Sequence, residues 1–224
     1  MIRARPSVRT LGCDTKAVAM LEFAFMMPIF VILCVGGSEL ANYITTRMRL
    51  SQIALQVADN AARIGTGTPL AAKTISETDI NDVFAGAQLE SGKLDLRANG
   101  RIILSDLENN PSTTGAANAY KIGWQRCYGT KTSATSRYGR TGDIKAYMGP
   151  ASRQTKVLPD NASMFVEIYY IYKPLMPGIS ARFIPSATAG QGVVLRETAS
   201  MAVRDRRNLT TGPLPVAGTT AATC

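Results

Sequence analysis

The sequence contains no histidine in its 224 residues. Without histidine, the Ser-His-Asp and Cys-His catalytic arrangements are excluded, and so are zinc sites with histidine ligands. The sequence also lacks the G-x-S-x-G nucleophile elbow and the P-loop. We therefore expect no enzymatic activity, no catalytic residue, no cofactor and no metal site.

Positive charge is in excess, but it is not arranged for nucleic-acid binding. The formal net charge is +9, and the one tight basic group is 204–207, where Asp205 interrupts three arginines. A nucleic-acid interface would need a basic stripe with interleaved stacking aromatics, and the sequence has none. We predict a solvated basic surface and no nucleic-acid partner.

Two groups of residues leave a membrane-anchored enzyme as a less favoured alternative. Asp106 and Glu108 are spaced for a paired acid site, although exposed acids at a strand end are far more common. Tyr169, Tyr170 and Tyr172 could bind a ligand, yet the preference of tyrosine for strands accounts for them.

Charge is almost absent from residues 18–38, where Glu22 is the only charged side chain. This length approaches the ~20 residues with which a helix crosses a bilayer. Basic residues precede the run at Arg3, Arg5, Arg9 and Lys16, a bias that keeps an N-terminus in the cytoplasm and sends the remainder outward. A cleaved secretory signal is the alternative, but the small-residue A-x-A exit is missing.

The helical pattern continues beyond the apolar run. Small and apolar residues recur every three to four positions up to Ile64, and Gly65 and Pro69 then provide a stop. We predict a basic leader over 1–17 and one helix over 18–64, about 70 Å long at 1.5 Å per residue. Residues 18–38 would span the membrane, 39–64 would be amphipathic, and 65–224 would form one extracytoplasmic head domain.

The head pattern predicts a short helix and then strands. Ser76 and Asp79 form a capping box, and Gly92 ends the helix that follows. Segments in which every second residue is apolar, the pattern of a half-buried strand, then occur over 101–107, 120–128, 164–172 and 193–203. Because no helical pattern separates these strands, we expect an antiparallel sheet with the long helix against it, an α+β fold. The tail over 210–223 reads as a loop that only Cys224 could hold.

The four cysteines divide by predicted compartment. Cys13 belongs to the leader and Cys34 to the span, whereas Cys127 and Cys224 would face an oxidising exterior. Such a pair favours a disulfide that ties the last residue to a central strand, and the alternative is two free thiols.

Two residues of the apolar run are unusual. Glu22 is either an acid near the cytoplasmic edge, where burial costs little, or a carboxylate that awaits a partner charge from a neighbouring subunit. Pro28 removes one backbone hydrogen bond and is expected to kink or loosen the helix near Ala24, although membrane helices tolerate proline.

The segment Ala19–Pro28, read as AMLEFAFMMP, resembles the TadE-like family of the tight adherence (Tad) pilus system. The apolar run over 29–35 and Ala61-Ala62-Arg63 extend the likeness. Members begin with a basic leader, a small-residue cut site, a V-E-F-A-type core and a proline six residues after the glutamate. They are similar to type IV pilins and act as minor pilins or pseudopilins. The family usually has glycine where Ala17 stands.

The resemblance implies a pilin-like protein without enzymatic activity. A prepilin peptidase would cut between Ala17 and Val18, and Glu22 with Phe23 would set the register of assembly. The implied partners are the inner membrane, that peptidase, other pilus subunits and assembly-platform proteins. The N-terminus would be cytoplasmic, and the head periplasmic or on the pilus. A permanently anchored periplasmic scaffold is the main alternative.

Overall fold

The computed structural model describes residues 15–68, 71–110, 120–157, 161–176 and 192–224. Most of the predicted leader, residues 1–14, lies outside the described residues. The chain divides into two compact units. One contains the long helix up to Tyr43 and the segment that begins at Pro174. The other contains Ile44–Lys173 and Gly192–Cys224.

Helix α1 spans Thr15–Arg63, close to the helix predicted over 18–64. It continues through Pro28 without interruption. The chain leaves the helix at Gly65, whose φ of 120° is favourable for glycine and strained for other residues. From residue 50 onward one stripe of the helix is buried, formed by Leu50, Ile53, Ala54, Val57, Ala58, Ala61 and Ala62.

Two shorter helices precede the sheet. Helix α2 spans Glu77–Ser91 and begins with the predicted capping box. In this box the Asp79 N–H donates to Ser76 Oγ at 3.2 Å, and the Ser76 N–H donates to Asp79 Oδ2 at 2.9 Å. Gly92 follows α2 with a positive φ and opens a short 3₁₀ turn, as the predicted stop requires. Helix α3, at Leu96–Asn99, was not expected from the sequence.

The sheet has five strands, and every neighbouring pair is antiparallel. The order across it is β3-β2-β1-β4-β5. The strands are β1 Gly100–Asn109, β2 Tyr120–Tyr128, β3 Ile144–Lys145, β4 Ala162–Tyr172 and β5 Val193–Ala202. A long N-terminal helix followed by an antiparallel sheet head is the α+β fold predicted from the sequence, which is confirmed.

The simple alternation predicted for β2 is interrupted by a bulge. Ser105 pairs with Gln125, but Leu107, two residues further along β1, pairs with Ile122, three residues back along β2. The bulge places Ile122 on the same sheet face as Leu107 and Phe165. There it joins a core cluster of Leu107, Ile122, Met148, Val157 and Phe165 beneath the loop that follows β2.

The C-terminal tail is held at more points than predicted. Leu214 exchanges backbone hydrogen bonds with the start of α2: its N–H donates to Ile75 at 2.8 Å, and its carbonyl accepts from Glu77 at 2.9 Å. Near the end, the Cys127 N–H donates to the Ala222 carbonyl at 2.7 Å. The expectation that only Cys224 could hold this tail is therefore wrong.

Candidate functional site

The first half of α1 presents large apolar side chains on all sides. Phe23 is 63% exposed, Phe30 64% and Leu33 67%. The most apolar 18-residue window of this helix has a mean hydropathy of 2.5, and none of its residues is buried. Among the described residues, α1 is the one helix long and apolar enough to cross a membrane. Exposure of such a surface to water is unfavourable, and its length and composition are sufficient for a membrane span.

Glu22 lies on this apolar surface. Its side chain is exposed, and it makes no hydrogen bond or ion pair with any described residue. Phe23 is beside it, and the Ala17–Val18 bond lies in the first turn of the helix.

Glu39 is a second acid on α1, and the sequence reading did not single it out. It is only 1% exposed, and its Oε2 accepts hydrogen bonds from the backbone N–H groups of Leu175 at 2.9 Å and Met176 at 3.2 Å. The sequence could have indicated this residue, because Glu39 is the first acid after the uncharged stretch that follows Glu22.

A disulfide joins Cys127 of β2 to Cys224, with their Cα atoms 4.9 Å apart. It closes a loop between residues 97 positions apart. Cys34 is a free and exposed cysteine on α1. Cys13 lies outside the described residues.

The pair Asp106 and Glu108 does not form a solvated strand end, and that expectation is wrong. Asp106 is 1% exposed on the central strand β1, and Glu108 is half-buried beside it. Burial raises the pKa of Asp106 well above its usual range, and the nearby charge of Glu108 raises it further, whereas the charge of Arg207 lowers it. Asp106 Oδ1 is buried and accepts no hydrogen bond from a described residue.

Arg204 and Arg206 are exposed, as expected for a solvated basic group, but Arg207 is buried. Its Nη2 donates to the main-chain oxygens of Ala61 at 3.2 Å and Ile64 at 2.8 Å. These carbonyls end α1 and have no partner further along the helix, so Arg207 acts as a side-chain cap.

The candidate tyrosines do not converge on one site. Tyr170 and Tyr172 are buried, whereas Tyr169, on the opposite face of β4, lies under the Arg196 guanidinium at 4.9 Å. Tyr169 lines a cavity of about 180 Å³, and a larger groove of about 490 Å³ runs past Met48, Leu55 and Phe165. Among the described residues, no group of three or more Cys, Asp or Glu side chains is placed to hold a metal ion.

The comparisons with known proteins identify the N-terminal segment. Residues 17–66 match the family model described as TadE-like protein. The resemblance to the TadE-like family is confirmed. The matched range covers the membrane-capable half of α1, Glu22, Glu39 and the helix end at Gly65. The similarity to the TadE-like family rests on this segment of the chain. Comparison with curated proteins and with solved structures returns no match.

Proposed function

We propose that this chain is a TadE-like minor pilin or pseudopilin that takes part in assembling a Tad pilus and acts without catalysis. The observation that carries the proposal is the long α1 helix of the TadE-like segment. Its first half exposes an apolar surface, and on that surface Glu22 has no partner among the described residues. Such a helix is stable in a membrane or in a bundle of like helices, but not alone in water.

The proposed organisation follows the charges along the chain. The basic leader, residues 1–17, stays in the cytoplasm, residues 18–38 cross the inner membrane, and 39–64 continue as the amphipathic part of the helix. Residues 65–224 form the head, which faces the periplasm or the filament surface. The Cys127–Cys224 disulfide supports this orientation, since disulfides persist in oxidising compartments.

Glu22 would act in assembly through electrostatics. Cleavage between Ala17 and Val18 by a prepilin peptidase would create a new α-ammonium four residues before Glu22. The ammonium of a neighbouring subunit could then pair with this carboxylate when the helices bundle. A wrong register would leave both charges buried and unpaired, which is strongly unfavourable. Glu22, together with the neighbouring apolar Phe23, would thus select one alignment of subunits.

The test is piliation of cells in which variants replace the native chain. Glu22→Ala should leave the protein in the membrane fraction but reduce the number of filaments strongly, and Glu22→Asp should retain part of the activity because it keeps the charge. Glu90→Ala removes an exposed acid of α2 and is the matched control. Normal piliation with Glu22→Ala would contradict the proposal.

A permanently anchored scaffold is the competing function for the same helix. It would keep residues 1–17 and remain in the membrane fraction, whereas a pilin-like subunit would lose the leader and appear in sheared filaments. Immunoblots of both fractions with an antibody to the head distinguish these outcomes.

A further inference from the structure

Two described residues of the segment that follows strand β4 contact Glu39 of α1. Glu39 accepts hydrogen bonds from the backbone N–H groups of Leu175 and Met176, at 2.9 and 3.2 Å. Glu39 and these two residues belong to the same compact unit. Because the acceptor is a carboxylate and is almost completely buried, these bonds are of the stronger, charge-assisted kind. The position of residues 175 and 176 along the helix is therefore fixed at Glu39.

Glu39 immediately follows the apolar stretch 18–38. If that stretch crosses the bilayer core, Glu39 lies where the core ends, since each residue advances the helix by only about 1.5 Å. A carboxylate at this depth is costly unless its oxygens accept hydrogen bonds, and Leu175 and Met176 provide them.

The side chains of this segment are suited to a lipid interface. Leu175 is 61% exposed and Met176 is 45% exposed, although both backbones are held in place. Lys173 is exposed just before them. Apolar side chains next to a cation are typical of segments that insert into the headgroup region, where the apolar groups leave water and the ammonium contacts phosphates.

We propose that residues 174–176 form an interfacial anchor, in which Leu175 and Met176 insert into the leaflet where the membrane span ends and Glu39 positions them. The ligand is the lipid surface itself. This inference rests on the proposed membrane span of α1, and it adds a second point of contact with the bilayer. The anchor would restrict tilting of the helix at the end of the span.

The test uses a fluorescent probe at single cysteines in the full chain, with Cys13→Ala and Cys34→Ala as the background. The protein is reconstituted into vesicles of phosphatidylcholine and phosphatidylglycerol, with and without lipids that carry a quencher near the headgroup. Leu175→Cys is the test position. Phe30→Cys reports on the span, and Leu89→Cys, at a residue that is 83% exposed on α2, is the control for a water-exposed surface.

We expect a blue-shifted emission and strong quenching for the probe at 175, as for the probe at 30, and neither change for the probe at 89. Quenching at 30 without quenching at 175 would overturn the anchor while the membrane span stands. No quenching at either position would overturn the anchor and the proposed span together.

The role of Glu39 is tested in the same vesicles. Glu39→Ala removes the acceptor, so quenching at 175 should fall while quenching at 30 is unchanged. Glu90→Ala is the matched control and should change neither signal. Undiminished quenching at 175 with Glu39→Ala would contradict the positioning role of Glu39.

Discussion

Arg207 donates a hydrogen bond from Nη2 to the main-chain oxygen of Ile64 at 2.8 Å, so a buried cation near the C-terminus caps the end of the long N-terminal helix. The two residues are 143 positions apart in the sequence. The contact joins the amphipathic part of α1 to the last segment of the head, within one compact unit.

Loss of this cap should destabilise the head. Arg207→Met should lower the free energy of unfolding by about 3 kcal/mol, because it leaves helix carbonyls unsatisfied and removes the cation that faces buried Asp106. Arg206→Met replaces an exposed neighbour and should cost less than about 1 kcal/mol. Urea denaturation of the detergent-solubilised chain, followed by circular dichroism, measures both. Equal losses would show that Arg207 has no special role.

The buried Asp106 should make stability depend on pH. Its pKa is raised by burial above the ordinary value of 3.8, so the folded state keeps the proton after the unfolded chain has lost it. Stability should therefore fall as the pH rises from 3.8 towards the folded pKa, by at most about 1.4 kcal/mol per pH unit from this group.

Asp106→Asn isolates this contribution, because an amide has the same shape and does not titrate. The free energy of unfolding of the native chain minus that of Asp106→Asn should therefore decrease as the pH rises. Asp82→Asn, at an exposed acid of α2, should leave the profile of the native chain unchanged. A profile that is the same for the native chain and Asp106→Asn would contradict the assignment.

The disulfide should provide much of the stability of the head. Closing a loop of 97 residues corresponds to about 4–5 kcal/mol in the chain-entropy description. Replacing Cys127 and Cys224 together by serine should cost an amount of this order, and a reductant should have a similar effect on the native chain. Cys34→Ser, at the exposed free cysteine of α1, should change nothing. Unchanged denaturation in reductant would contradict this prediction.

The pair Glu77–Arg126 should matter more than an exposed ion pair. The Arg126 Nε lies 3.0 Å from both carboxylate oxygens of Glu77, and the two side chains are only 16% and 4% exposed. Glu77→Ala would leave a poorly hydrated guanidinium without its anion, at a cost of about 3–5 kcal/mol. The comparison is Asp205→Ala, which breaks the more exposed pair with Lys73 and should cost less than about 1 kcal/mol.

Local signals predicted the elements well. The capping box at Ser76 and Asp79 and the glycine stop at Gly92 depend on residues within a few positions of one another, and the structure has both. The exposed apolar half of α1 was equally predictable, because composition alone determines it. The antiparallel arrangement of the sheet was predictable because no helical pattern separates the strands in the sequence.

Several contacts between distant residues could not be predicted. Asp106 was read as solvated because its neighbours in sequence do not show that β1 becomes the central strand, paired on both sides. Arg207 was read as solvated because the carbonyls that it caps belong to residues 61 and 64. The bulge that turns Ile122 to the other face is likewise set by pairing with β1.

The mass of the N-terminal peptide from membrane-extracted and filament-associated protein tests the central claim most directly. A pilin-like subunit should begin at Val18 in the filament fraction and carry Glu22 as its fifth residue. Loss of that processed form should accompany loss of the prepilin peptidase. A chain that retains residues 1–17 in every fraction would contradict the pilin account.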